Sequence, residues 1–188
     1  PKTLVVTSAI SGEGKTITAI NLAMAFAELE QHRVVLVDAD LRRPSVERTL
    51  GLEPQPGFSD LLMGRASLNE VLRTRGAGRA KIIGAGTPAI PAEVLASGRI
   101  TDLFDRLKER FDYVIVDTPP VLPATDAAVL SARADGTLLV VRLEHSHKRH
   151  TKEAMSSLLD LGGNVLGSFI TEVRGRDPEA DARLGYNY

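Results

Sequence analysis

The sequence predicts an α/β fold, a mostly parallel central sheet with helices on both faces. Two observations predict it. Short apolar runs of strand length alternate along the chain with longer amphipathic stretches, and such alternation winds into a parallel sheet through right-handed crossovers. Three polar clusters also follow directly on those runs, and in open α/β sheets ligands sit at the carboxyl ends of the strands.

Taken in order, Thr3–Thr7 (TLVVT), Val34–Asp38 (VVLVD), Tyr113–Asp117 (YVIVD) and Thr137–Arg142 (TLLVVR) are the main strand candidates. Each carries β-branched and apolar residues at successive positions, as a strand covered on both faces requires. Val165–Thr171 is a further strand, and Lys81–Gly84 (KIIG) is a weaker sixth. Helical patterns run over Thr16–Glu30, Ala92–Arg110, Ala124–Arg133 and His150–Leu161.

The 188 residues suit one domain with a continuous core. A formal net charge of −1 argues for neither a nucleic-acid partner nor an anionic membrane surface. The chain has no cysteine, which excludes disulfides, thiolate metal sites and cysteine nucleophiles and fits a reducing cytosol. Its longest apolar runs are far short of the roughly 20 residues a membrane helix needs. A chain that opens on Pro1 fits a domain excised from something longer.

The first strand runs into Ser8-Ala9-Ile10-Ser11-Gly12-Glu13-Gly14-Lys15-Thr16 and then a helix. Glycines let several backbone N–H groups converge on one phosphate, and the helix start adds partial positive charge. Lys15 reaches the terminal phosphates in this reading, and the Thr16 hydroxyl ligates Mg²⁺. The usual pattern begins with glycine where this chain has Ala9, so the loop is a variant of the P-loop of nucleoside triphosphatases. Position between a buried-type strand and an amphipathic helix separates it from a glycine turn that merely caps a helix.

The second strand ends Asp38-Ala39-Asp40-Leu41-Arg42-Arg43-Pro44, and the YVIVD strand ends Asp117-Thr118-Pro119-Pro120. A carboxylate closing a strand beside a P-loop can hold Mg²⁺ directly or through water, and Asp117 is the clearer candidate. Asp38 and Asp40 lie two apart, so on an extended backbone they share a face. One can face the metal region while the other faces an incoming hydroxyl. Capping of the following helix is the plain alternative for either.

VTSAISGEGKTITAINLA, VVLVDADLRRP and FDYVIVDTPP resemble, in order, the three motifs of bacterial tyrosine autokinases. These are the cytoplasmic kinase domains of polysaccharide co-polymerases, which control capsule and exopolysaccharide synthesis and export. GFSDLLMG at 57–64, PAEVLAS at 91–97, Asp126-Ala127 and ADGTLLVVR at 134–142 extend the resemblance to about Val173. It implies an ATP- and Mg²⁺-dependent protein-tyrosine kinase on a P-loop fold. Lys15, Asp38 and Asp40 are then catalytic, and Thr16, Asp38 and Asp117 surround the metal. The nucleotide meets Ser11, Gly12, Glu13, Gly14, Lys15, Thr16, Ile17 and Arg142. Residues 1–173 form the kinase domain. Residues 174–188 are a flexible charged tail whose Tyr186 and Tyr188 accept phosphate. The resemblance also implies a membrane-spanning co-polymerase segment in the same or a separate chain, a homo-oligomeric ring, an opposing tyrosine phosphatase, and a place at the cytoplasmic face of the membrane.

Departures accompany the resemblance. Ser11 replaces a usual proline, Ile17 an often small hydroxyl residue, Ile90 a common asparagine, and Thr171 an asparagine that helps hold adenine in related ATPases. The basic helix used for ring assembly ahead of the first strand is absent from this sequence. The competing reading is a positioning or partition ATPase of the MinD/ParA type, a nucleotide-dependent dimerisation switch. Such switches place a second lysine where this chain has Ile10 and often end in a basic amphipathic helix. RGRDPEADARLGYNY has no apolar face. The run His145-Ser146-His147-Lys148-Arg149-His150 is read as a solvated basic turn, since no carboxylate pattern completes a metal site.

Overall fold

The computed structural model describes residues 2–29, 32–75, 79–90, 94–95 and 98–172. Seven strands form one sheet: β1 Thr3–Ser8, β2 Val34–Asp38, β3 Arg73–Thr74, β4 Lys81–Ile83, β5 Tyr113–Asp117, β6 Gly136–Arg142 and β7 Val165–Thr171. Their order is β3-β4-β2-β5-β1-β6-β7. Every pairing is parallel except the short β3–β4 contact, so the predicted sheet stands. The helices are α1 Lys15–Glu28, α2 Val46–Leu50, α3 Phe58–Met63, α4 Leu68–Val71, α5 Arg99–Arg110, α6 Asp126–Ser131 and α7 Lys148–Asp160.

Alternation along the central strands feeds two separate cores, as pleating requires. Val5, Val35, Val37, Val114 and Val116 face one side, where Phe58, Leu62, Ile100, Leu103, Phe104 and Leu107 pack on them from α3 and α5. Leu4, Val6, Leu36 and Ile115 face the other, against Ala19, Ile20, Ala23 and Ala27 of α1. Small residues on α1 let it lie close to the sheet, which fixes where its first turn begins. The four apolar residues of α5 sit at i, i+3, i+4 and i+7, and each contributes roughly 2 kcal/mol by leaving water.

Helix boundaries differ from the sequence reading by one or two residues at several ends: α1 starts at Lys15, α6 spans Asp126–Ser131 and α7 spans Lys148–Asp160. Of the predicted helix Ala92–Arg110, Val94 and Leu95 are helical and α5 runs from Arg99, after Gly98 in the left-handed region with φ 70°; residues 91–93 and 96–97 lie outside the described residues. The β3–β4 contact and α2, α3 and α4 were not predicted at all. β7 closes the sheet as an edge strand and leaves Leu166, Phe169 and Ile170 about half exposed.

Candidate active site

β1 delivers the chain to the middle of the carboxyl edge, and the turn that follows is tightly tied. Gly12 and Gly14 adopt φ 86° and 92°, angles at which a side chain would be strained. Glu13 is fully buried inside the turn. One of its carboxylate oxygens accepts the Ile10 N–H at 2.9 Å, and the other accepts the Ser146 hydroxyl. The Thr171 hydroxyl donates to the Glu13 carbonyl at 2.8 Å, and Arg142 donates to the Gly12 carbonyl at 3.0 Å while pairing with Glu172 at 2.6 Å. The ends of β6 and β7 therefore clamp the turn from outside. His145 belongs to the same clamp, with Nε2 3.4 Å from the Ser11 carbonyl. His145, His147, Lys148 and Arg149 are nonetheless exposed, so the run is a solvated basic turn that touches the phosphate loop through His145.

α1 starts at Lys15, whose ammonium lies 3.0 Å from Asp40 and 4.0 Å from Asp117. Pairing in the sheet sets Asp38 directly beside Asp117, so two carboxylates from neighbouring strands meet behind the lysine. Asp38 is fully buried and accepts three backbone N–H groups, from Asp40 at 3.1 Å, Ser45 at 3.0 Å and Val46 at 2.9 Å. It thereby folds the segment 39–46 around itself. Burial nonetheless pushes its carboxyl up to about 6. Asp117 is also fully buried, and neither of its oxygens has a hydrogen-bond partner. Desolvation raises its carboxyl to about 7, against the pull of Lys15. Two buried carboxylate oxygens without a hydrogen bond, answered only by a long ion pair to Lys15, are what a cation there would satisfy.

A cavity of about 600 Å³ opens in front of this group, lined by Lys15, Thr16, Asp40, Arg43, Arg48 and Pro120 among others. Asp40 lines it and Asp38 does not. A second cavity of about 480 Å³ lies across the turn, against Gly14, Ile17, Arg142, Phe169 and Thr171. The residues named from sequence thus fall in one place: Ser11 to Ile17 on the turn, Asp38, Asp40 and Asp117 behind it, Arg142 beside it. Tyr186 and Tyr188 lie outside the described residues. Sequence reasoning missed Ser45, whose hydroxyl is 3.0 Å from that of Thr16, and Ser146, whose partner is 133 positions away. Arg42 forks onto Asp126 at 2.7 and 3.1 Å, a contact that no local signal announces.

The AAA domain family matches residues 1–158. A tyrosine-protein kinase of Bacillus subtilis, YwqD, is 33% identical over 186 residues, covering 98% of this chain and 77% of that protein. The chain belongs to the bacterial tyrosine-protein kinases. The tyrosine-protein kinase etk of Escherichia coli is 34% identical, and there the chain spans 98% of itself but only 25% of its relative. The solved kinase domain of Escherichia coli tyrosine kinase ETK has a TM-score of 0.87 at 30% identity, covering 100% of this chain and 71% of that one. The septum site-determining protein MinD of Pyrococcus horikoshii, complexed with Mg-ADP, has a TM-score of 0.75 at 23% identity, covering 97% and 76%, and shares the fold alone. Among the described residues of this kinase domain, no helix is long and apolar enough to cross a membrane.

Proposed function

We propose that this domain transfers the γ-phosphoryl group of ATP to tyrosine hydroxyls, Tyr186 and Tyr188 of its own tail among them. The observation that carries the assignment is the buried Asp117 carboxylate, which makes no hydrogen bond and has only a long ion pair, 4.0 Å, with the P-loop lysine. Thr16 and Asp117 would hold Mg²⁺, with Asp38 adjoining. Bound there, the ion would neutralise charge on the phosphates. Lys15 is paired with Asp40 in the structure, and arriving phosphates compete for its ammonium. Once Lys15 turns to them, Asp40 is left facing the cavity as the acceptor of the phenolic proton. The tyrosine oxygen forms a bond to the γ-phosphorus, the bond from that phosphorus to the β-bridging oxygen breaks, and ADP leaves. Asp38 acts through Asp40 by holding its backbone N–H, a narrower part than the catalytic one implied by the motif. Ser11 to Ile17 and Arg142 would cradle the nucleotide, with the base against Ile17 and Thr171.

The resemblance of the whole motif set supports a role in capsule or exopolysaccharide synthesis and export. It also supports work at the cytoplasmic face of the membrane with a co-polymerase segment, assembly as a ring, and reversal by a tyrosine phosphatase. Incubation with Mg-ATP followed by mass spectrometry tests the central claim. Phosphate is expected on Tyr186 or Tyr188 and is expected to vanish in Lys15→Met. ATP hydrolysis without phosphotyrosine, also when the protein is joined to its membrane partner's cytoplasmic segment, would overturn it.

A further inference from the structure

The opposite end of the sheet carries a second charged cavity, which the reaction above does not use. It has a volume of about 440 Å³, and Arg33, Arg79, Lys81 and Arg110 line it at the amino ends of β2 and β4 and the carboxyl end of α5. Only Arg33 is neutralised, through a two-pronged pair with Asp112 at 3.3 and 3.1 Å. Lys81 donates to the Thr74 hydroxyl at 2.8 Å, and Arg110 donates to the Asn69 side-chain oxygen at 2.8 Å. Both partners are uncharged. Each cation is thereby held in place while its charge stays unspent, and among the described residues neither they nor Arg79 make an ion pair. Among the described residues Glu109 is the one carboxylate in the lining. Gathering like charges on one cavity costs energy that an anion entering it would return.

The floor decides which anion. Besides the cations and the exposed His32, the cavity is lined by Val34 and Phe111, both buried, and by half-buried Leu72. A cavity with an apolar floor and a rim of guanidinium and ammonium groups suits an aromatic ring ending in a phosphate. A flat or protruding basic face would suit a lipid surface better. We propose that this cavity binds phosphotyrosine, and that its occupant is a phosphorylated tyrosine segment of the kind this domain makes. The choice of occupant rests on the kinase reading; the site itself does not. A product-binding pocket at the far end of the sheet would let one phosphorylated copy hold another without blocking either active site.

Fluorescence anisotropy tests this on the full chain, using labelled peptides of residues 174–188 with Tyr186 phosphorylated, unphosphorylated, or replaced by phosphoserine. Binding is read without turnover, so a failure of kinase activity leaves it intact. The phosphotyrosine peptide is expected to bind at least about tenfold more tightly than either other peptide. Lys81→Gln with Arg110→Gln should remove that preference, whereas Lys15→Met should keep it, which separates this cavity from the P-loop. Equal binding of all three peptides would overturn the proposal. So would loss of the preference in Lys15→Met alone. Binding of phosphatidylglycerol vesicles that falls in the double variant, without any phosphopeptide preference, would make the cavity a lipid site instead.

Discussion

Lys15 has two demands on it. Its ammonium is 3.0 Å from Asp40, and the same ammonium is the group that a P-loop lends to the terminal phosphates. The pair is nearly buried, so the attraction is not screened away as at an open surface. Nucleotide therefore competes with Asp40 for one cation. Replacing Asp40 by Asn weakens that competitor and removes the proton acceptor. Asp40→Asn should bind ATP as tightly as the parent or up to about tenfold tighter, while phosphoryl transfer falls at least about a hundredfold. Calorimetric titration with ATP beside a phosphotyrosine assay would show both. An Asp40→Asn variant that binds ATP poorly would mean that Asp40 supports the loop rather than competing with the ligand.

Between elements, the turn is held from outside by the loop that follows β6 and by the end of β7, as well as by its own bonds. Ser146 and Thr171 both reach Glu13, one at its carboxylate and one at its carbonyl. A neutral hydrogen bond contributes about 1 kcal/mol net, so Ser146→Ala combined with Thr171→Val should raise the KM for ATP by about threefold to tenfold. The kcat should change less, since neither side chain lies among the carboxylates behind Lys15. Steady-state kinetics at saturating acceptor would separate the two, and an unchanged KM would mean the glycine turn holds itself. This clamp also marks where sequence reading stopped. β1, β2 and β5 were legible because buried parallel strands read as unbroken apolar runs, and the aspartates that end β2 and β5 announced the site. Ser146 and Thr171 were not, because a hydroxyl 133 or 158 positions from its partner leaves no local pattern. The short α2, α3 and α4 span four to six residues, too few for a helical period to show. The two-residue β3 is held by its pairing with β4 and by Arg73 reaching Glu47 of α2, contacts that exist only once the chain has folded. Gly98 was visible in the sequence, but only its left-handed backbone showed that it parts α5 from what precedes it.

Taken as a whole molecule, the domain keeps two carboxyl groups where burial penalises their charge. Asp38 is raised to about 6 and Asp117 to about 7, both mainly by desolvation. In the unfolded chain such groups titrate near 3.9. Between those limits the folded protein holds more protons than the unfolded one, so the stability these groups lend at low pH is lost as pH rises toward 7. Asp60, Asp112 and Asp135 are shifted the opposite way, downward, by backbone N–H groups and by Arg33, so they leave the upper window to the buried pair. With divalent ions chelated, the unfolding free energy should fall by about 1–3 kcal/mol from pH 5 to pH 7.5. Asp117→Asn should flatten most of that slope, because the amide carries no charge to desolvate. A cation held by Asp117 favours the ionised form, so added Mg²⁺ should stabilise the parent more at pH 7.5 than at pH 5 and should do little for Asp117→Asn. Denaturant titrations at the two pH values, with and without Mg²⁺, give all of these quantities. A stability that rises across the window in the parent would mean that the two strand-end carboxylates are already satisfied without a metal, and with that the case for Asp117 as its ligand would fail.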